Sequence, residues 1–370
     1  MLPLFLANTL GLSKSLIGLI QGLADFFGNI TKLFAGWFSD VIKKRKTLLF
    51  IGYSISTITK PLMAFSMSAS HVITARMGDR FGKGIRSAPK NALLTESTSK
   101  ENRGKWFGFD QAMDTAGAIL GTILAYFLVS SYVGLNYRTV FLLSIIPAAI
   151  ALLIIIFFVK DVAAPKIKDE AKKLSLDFKK FSLSYKYFLF VATIFSLANF
   201  TYAFFLLKAQ DLGFIASSVI LLYFVYNLFY AGLSIPAGRL SDKVGRRKVI
   251  ITGYILFVLT CVGFTFLTDH KDIWILFALY GTSIALTDSV SRAYIGDLAP
   301  SDKKASAQGI YYATTGTALL IGAITAGKIW DSFGSFYTFL YATIISSIAF
   351  ILLIIGMNLI KTKITTKKNN

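Results

Sequence analysis

GWFSDVIKKRK at 36–46 and GRLSDKVGRRK at 238–248 are the two stretches that decide how this chain of 370 residues is organised. Superposed, they place glycine on glycine and aspartate on aspartate at an offset of 202 residues. A second match supports the first at an offset near 201: Ser99-Lys100-Glu101 with Gly108 and Gly121 corresponds to Ser301-Asp302 with Gly309 and Gly322. An internal repeat of this length predicts a chain built from two homologous halves.

The composition indicates the solvent in which these halves fold. Hydrophobic residues make up 55% of the chain and charged residues 16%, with a mean hydropathy of +0.62. Soluble domains carry about 25% charged residues. The composition therefore excludes soluble, disordered and disulfide-rich classes, and the single cysteine, Cys261, gives no sign of redox chemistry. We predict a polytopic helical membrane protein.

Apolar runs long enough to cross a bilayer, about 20 residues each, recur along the whole chain and predict eleven complete transmembrane helices. Residues 1–10 are interpreted as the last turns of a further helix whose start is missing. The predicted fold is an all-α membrane protein of two six-helix bundles with the first helix truncated. The predicted spans are 13–38, 47–69, 72–98, 105–131, 138–160, 186–208, 213–238, 249–268, 272–298, 304–331 and 336–360.

The formal charge of +20 comes from 39 basic and 19 acidic residues. In this sequence it indicates topology rather than nucleic-acid binding, because 26 of the basic residues fall on one side of the predicted spans and only four on the other. Cytoplasmic loops are enriched in Lys and Arg. We therefore expect a cytoplasmic-membrane protein with its C-terminus in the cytoplasm.

Four domains are predicted: an N-terminal bundle at 1–160, a linker at 161–185, a C-terminal bundle at 186–360 and a basic tail at 361–370. The linker is rich in lysine and has Leu174, Phe178 and Phe181 at helical spacing. Two readings stay open, an amphipathic helix on the membrane surface or a solvated charged loop.

The repeated Gly-x-x-x-Asp signature with trailing basic residues resembles the major facilitator superfamily. RFGKGIRSAPKNAL at 80–93 and RGKWFGFDQAMDTAGAILG at 103–121 are similar to a group of prokaryotic members with a charged fourth helix. The resemblance implies alternating access, with signature residues holding the cytoplasmic ends of the bundles together. The alternative is a basic loop that only sets topology. The gate candidates are Gly36, Asp40, Arg45, Gly238, Asp242, Arg246 and Arg247.

The span at 72–98 carries five of the nine basic residues predicted at membrane depth. Helical spacing puts all of them except Arg86 on one face, which must point into protein or a watery cavity. Arg86 lies closer to the adjoining face, and Asp79 is placed to pair with Lys83. These residues are predicted to bind substrate; the alternative is structural pairing with neighbouring acids, or snorkelling. The candidates are Arg76, Arg80, Lys83, Arg86 and Lys90, together with Arg292 of a later span.

Carboxylates at membrane depth are candidates for proton coupling, because burial raises a carboxyl pKa toward neutrality. Asp25 and Asp114 are the main candidates, with Asp110 and Asp288 beside them; the alternative is that each acid only neutralises the basic residues. Five acids against nine bases leave the interior net positive. That balance favours an anionic solute.

Tyrosines such as Tyr223, Tyr226, Tyr311 and Tyr312 could line a cavity, but aromatic residues of membrane helices more often pack or anchor at the interface. Two histidines in predicted outer loops and one cysteine cannot build a metal-binding motif or a histidine-based catalytic triad inside the membrane. We expect no enzyme activity, cofactor or metal site. The expected partners are a small anionic solute, protons and membrane lipids, without nucleic acid, and the chain is expected to be a monomer.

The main prediction is thus a proton-coupled secondary transporter of a small anionic solute. Two alternatives stay open: a proton-driven multidrug exporter, and a non-transporting sensor or scaffold on the same fold. Drug exporters of the superfamily carry a Gly-Pro signature in the fifth helix, where this chain has GAILGT, with Thr122 in place of the proline.

Overall fold

The computed structural model describes residues 2–42, 45–96, 103–129, 133–160, 181–267, 271–299 and 304–368. These residues form helices joined by short turns and loops. The helices are α1 Leu2–Asn8, α2 Lys14–Ile42, α3 Arg45–Ala64, α4 Ala69–Glu96, α5 Arg103–Val129, α6 Tyr137–Leu143, α7 Ile145–Phe158, α8 Leu183–Ala198, α9 Ala203–Asp211, α10 Ala216–Val244, α11 Arg246–Phe266, α12 Asp272–Leu298, α13 Lys304–Phe333 and α14 Ser335–Lys368.

Each of the predicted spans contains helix, so the prediction of an all-helical membrane fold is confirmed. Within the described ranges, seven helical segments are long and apolar enough to cross a bilayer. Two predicted spans are broken. The run 138–160 divides into α6 and α7 at Ser144, three residues before Pro147, and the run 186–208 divides into α8 and α9 over residues 199–202. A proline ring has no N–H to donate to the preceding turn.

The described residues fall into two compact units. The first lies within 1–12 and 20–174, and the second within 13–19 and 175–370. The four domain boundaries expected from the sequence stay predictions, because residues 161–180 of the linker, with Leu174 and Phe178, lie outside the described residues. Phe181 is described: it is 3% exposed, and its ring stacks on Tyr185 at 4.5 Å.

Glycine contacts fix the position of α4 in the first unit. A Cβ atom added to Gly82 would lie 2.6 Å from the carbonyl oxygen of Gly52 on α3, and one added to Gly84 would lie 2.5 Å from Thr31 on α2. Small residues let helix backbones approach closely in membranes. Helix α4 is therefore packed tightly against both α2 and α3, which fixes the directions of its charged side chains.

Aromatic rings form the core of the second unit. Phe205 stacks on Tyr280 of α12 at 4.2 Å, and Phe264 of α11 stacks on Phe339 of α14 at 5.2 Å. All four side chains are 0–3% exposed. Cys261, one turn before Phe264 on α11, is 0% exposed. Because lipid is as apolar as these rings, close packing rather than exclusion of water stabilises such a core.

Candidate functional site

Toward the start of α4, a small cavity of about 150 Å³ is lined by Lys60, Arg76 and Asp79 together with apolar side chains. Arg76 donates a hydrogen bond from Nη2 to Oε1 of Gln21, 3.2 Å away, and its Nη1 lies 3.8 Å from Oδ2 of Asp79. The expected pair of Asp79 with Lys83 is therefore wrong. The long guanidinium of Arg76 reaches the carboxylate from one turn earlier on the same helix.

One turn along α4, Arg80 meets a carboxylate from another helix. Its Nη2 lies 3.5 Å from Oδ1 of Asp25 on α2, and the two side chains are 22% and 29% exposed. The aliphatic part of Arg80 runs past Gly28, where a Cβ atom would lie 3.6 Å from it. The structure thus pairs a predicted substrate-binding residue with a predicted proton carrier. The pair fits the reading in which the acid neutralises a base, and the proton-carrier role stays a prediction.

The middle of α4 carries several basic side chains around Lys83. Lys83 is exposed, and the charged groups that act on it are Arg80, Lys32, Arg86 and Asp114, three cations against one carboxylate. A lysine at membrane depth faces protein or water rather than lipid. This surface can therefore attract an anion.

Arg86 points away from that surface, as its position on the adjoining helix face predicts. Its guanidinium lies 4.0 Å from the centre of the Tyr53 ring on α3, in cation–π geometry. Lys90 is half-buried one turn farther along. The structure therefore brings Arg76, Arg80 and Lys83 toward acids and open space, whereas Arg86 is bound to an aromatic ring.

The remaining acids of the first unit lie on α5. Asp114 is exposed, and its carboxylate interacts electrostatically with Lys83 on α4. Asp110 belongs to the same helix, but its side chain lies outside what the structure describes. Both assignments to proton coupling stay predictions.

In the second unit, Asp288 and Arg292 of α12 form a hydrogen-bonded pair. Arg292 Nη2 donates to Asp288 Oδ2 at 2.8 Å, and the hydroxyl of Tyr230 on α10 donates to the same oxygen at 2.9 Å. The Nε2 of Gln308 on α13 donates to the carbonyl of Arg292 at 2.6 Å, which joins the two helices. The two charged side chains are 42% and 41% exposed, so both remain reachable from outside the unit.

A row of tyrosines on α10 ends at this pair. The rings of Tyr223 and Tyr226 lie 5.8 Å apart and those of Tyr226 and Tyr230 6.0 Å apart, with interplanar angles of 20° and 18°. Tyr202, at the break between α8 and α9, continues the row 4.9 Å from Tyr223. A spacing of three and four residues on α10 was the available signal, because it puts these three tyrosines on one helix face.

The second signature forms a compact charged junction. Arg246 lies next to Asp242 and Ser241 of α10, 2.6 Å from an oxygen of each, and 3.2 Å from Oδ2 of Asp297 at the end of α12. Gly245, with φ +97°, ends α10 and permits the turn into α11. Asp242 is thus paired within its own unit, and Arg247 is half-buried beside Arg246.

The first signature is described only in part. Gly36 and Asp40 belong to α2, but their side chains lie outside the described residues, whereas Arg45 at the start of α3 is buried. Gly238 lies inside α10, and no described atom would come within 4 Å of a Cβ atom added there. The gating role of the signature residues stays a prediction.

Comparison with known proteins identifies relatives of this chain. A family model described as Major Facilitator Superfamily matches residues 1–207 and 187–369. An uncharacterised MFS-type transporter of Methanocaldococcus jannaschii is 36% identical over 359 residues, which cover 95% of this chain and 88% of the relative.

Solved structures share the fold. A mutant of the nucleoside transporter NupG superposes with a TM-score of 0.80 at 14% identity, covering 95% of this chain and 93% of that one. A D-xylose–proton symporter superposes with a TM-score of 0.74 at 16% identity, covering 94% and 90%. Identities this low show a common architecture and leave the cargo of this chain open.

Proposed function

This chain belongs to the major facilitator superfamily, and from that premise we propose that it moves a small anionic solute across the cytoplasmic membrane by alternating access, coupled to protons. Members of this superfamily are multi-pass membrane transporters rather than enzymes. The kind of solute and the coupling ion must be inferred from this chain's own residues.

The positive surface around Lys83 is the observation that carries the proposal. Lys83 is exposed while three cations and one carboxylate act on it. Basic side chains are costly at membrane depth, so a bound anion beside Lys83 that added negative charge would stabilise this surface. Charge-assisted hydrogen bonds from Lys to a carboxylate or phosphate are also stronger than neutral ones.

The Asp25–Arg80 pair offers a way to couple that anion to a proton. The carboxylate of Asp25 and an anionic solute compete for the same guanidinium, because Arg80 lies one turn from Lys83 on the same helix. Protonation of Asp25 removes its charge and releases Arg80 toward the solute. Proton binding and anion binding then support one another, as symport requires, with Asp114 as the second proton acceptor.

The membrane orientation follows from the distribution of basic residues. Of the 39 in the chain, 26 lie on the side assigned to the cytoplasm, and four of these belong to the tail 361–370. The proposed transporter acts as a monomer, with the two signatures biasing its cytoplasmic gate.

A ligand panel on the purified protein tests the proposal. Organic carboxylates, phosphate esters and lipophilic cations are compared at matched concentration, because a ligand that binds the folded state raises its melting temperature. We expect anions alone to stabilise the protein, and we expect Lys83→Gln to remove the effect while Lys83→Arg retains it. Lys328→Gln is the matched control, since Lys328 is an exposed lysine on α13 of the second unit.

Stabilisation by lipophilic cations alone would overturn the anionic solute and favour drug export. Stabilisation by an anion that is equal in the wild type and in Lys83→Gln would keep an anionic ligand but remove the α4 surface as its site. Proteoliposomes with an imposed pH gradient then test coupling, where Asp25→Asn is expected to abolish the dependence of uptake on the gradient.

A further inference from the structure

The tyrosine row of the second unit has no part in the proposal above. We propose that Tyr223, Tyr226 and Tyr230, together with Asp288 and Arg292, form a binding site for a planar, unsaturated ring that carries an O–H or N–H donor on its edge. The inference rests on the proposed function in one respect, namely that the bound ring is part of the transported solute.

The orientation of the rings is the first support. Successive tyrosines on α10 lie 5.8 and 6.0 Å apart with their planes within 20° of each other, so they present nearly parallel rings along the helix. Tyr226 is backed by Tyr280 of α12, whose ring lies 4.8 Å away at 27° and is 3% exposed. A planar ligand can stack on an aromatic surface held in this way, and such contacts favour offset, parallel rings.

The depth of the row is the second support. Tyrosines that anchor a helix lie at the membrane–water interface, near the ends of a span. Tyr230 lies at the middle of the 29-residue helix Ala216–Val244, and Tyr226 lies one turn before it. Both are only half-buried, whereas the rings of the core near Phe205 are almost completely enclosed. Interface anchoring therefore does not account for the position of these two tyrosines, and part of each residue remains exposed.

Asp288 supplies the polar end of the site. Its Oδ2 accepts hydrogen bonds from Tyr230 and Arg292, and within the part of the chain that the structure describes Oδ1 accepts none. The carboxylate is held in one orientation and is 42% exposed. It can therefore accept a hydrogen bond from a ligand that lies against the rings, which selects an O–H or N–H donor on the ring edge.

Two compounds of equal charge measure the contribution of a planar ring to binding separately from that of the carboxylate and hydroxyl groups. 4-Hydroxybenzoate and trans-4-hydroxycyclohexanecarboxylate both carry one carboxylate and one hydroxyl group, but only the first has a planar unsaturated ring. Their dissociation constants are measured on the purified full-length protein from the rise in melting temperature with concentration. We expect the planar compound to bind about tenfold more tightly, the upper end of the usual contribution of aromatic pairing.

Three variants locate that preference. Tyr226→Leu is expected to remove it, Tyr226→Phe to retain it, and Asp288→Ala to weaken 4-hydroxybenzoate more than benzoate, which has no hydroxyl donor. Tyr226→Phe keeps the ring that packs on Tyr280, so it also shows whether the effect of Tyr226→Leu comes from stacking or from a damaged fold.

Equal binding of the two compounds to the wild type, binding of neither at millimolar concentration, or a preference that survives Tyr226→Leu would each overturn the ring site. Lys83→Gln separates this result from the proposed function, because all residues of the ring site belong to the second unit. The ratio of the two dissociation constants, which measures the ring preference, is therefore expected to be the same in Lys83→Gln as in the wild type. A ring preference that persists when Lys83→Gln has no effect would support the tyrosine site while refuting the anion site.

Discussion

Helices α4 and α12 are counterparts in the internal repeat, and they differ sharply in chemistry. With the offset of 202 residues, Arg86 corresponds to Asp288 and Lys90 to Arg292. Between residues 76 and 90, α4 carries five basic side chains and one acid, whereas the equivalent part of α12 carries one of each. In α12 the acid and the base pair with one another at 2.8 Å, so that helix has no excess charge there.

The difference shows that both copies of the repeat keep this helix although its charged residues have diverged. Helix α12 is among the seven segments apolar enough to cross a bilayer by itself. The charges of α4 instead require partners from other parts of the first unit, such as Asp25 and Tyr53. We infer that the first copy recognises the charge of the solute and that the second copy recognises its shape. Four experiments test this division.

The largest effect is expected from the packing that positions α4. Gly82→Ala puts a methyl group against the Gly52 carbonyl at a Cβ distance of 2.6 Å, which should destabilise the protein by about 1–3 kcal/mol. Gly117→Ala is the control, because no described atom lies within 4 Å of a Cβ atom there. Equal melting temperatures for the two variants would show that α4 does not depend on this close approach.

The next effect concerns the partner that α4 takes from α2. Asp25→Asn leaves the partly buried Arg80 without its carboxylate, so we expect a loss of about 1–2 kcal/mol. A double-mutant cycle with Arg80→Gln measures the coupling between the two side chains. A coupling near zero would contradict the pairing and leave Asp25 free for another role.

A smaller effect is expected at the counterpart pair on α12. Asp288→Asn should cost less than about 1 kcal/mol, because both charges are more than a third exposed and water screens them. Its melting temperature is compared directly with that of Asp25→Asn. A larger loss at Asp288 would reverse the comparison, since the second unit would then depend more on its ion pair than the first.

The smallest effect has the opposite sign. Lys83→Gln removes one of several like charges, so the ligand-free protein should gain roughly 0.5 kcal/mol or less while it loses its anion. Thermal unfolding with and without ligand measures both changes on the same sample. If the ligand-free variant melts at a lower temperature than the wild type, the cations around Lys83 do not repel one another.

Hydrophobic runs were enough to locate the helices, because a bilayer imposes a minimum apolar length on each span. The same runs gave little warning of the two breaks. Pro147 was a visible signal for the first, but other prolines, such as Pro61 and Pro89, lie inside unbroken helices. The second break has neither glycine nor proline within residues 199–202. There the hydroxyl of Thr201 accepts a hydrogen bond from the backbone N–H of Ala203 at 3.4 Å, at the start of α9.

At the site, helical spacing correctly placed Arg86 apart from the other basic residues of α4. It could not choose between partners at similar distance along the helix, so Asp79 was assigned to Lys83 although it pairs with Arg76. The tyrosine row is a similar case, because its spacing alone does not distinguish packing from ligand binding. Spacing shows which side chains share a face, but only the neighbouring helices show whether that face is closed by packing or left open.

The burial of Cys261 has a practical consequence for labelling chemistry. It is the only cysteine in the chain and is 0% exposed on α11, so maleimide probes applied to the native protein will leave it unmodified. A thiol introduced in place of Lys83 or Asp288 can therefore be labelled selectively without first removing the natural one. On heating, Cys261 becomes accessible, and a thiol-reactive dye then reports unfolding from a single built-in position.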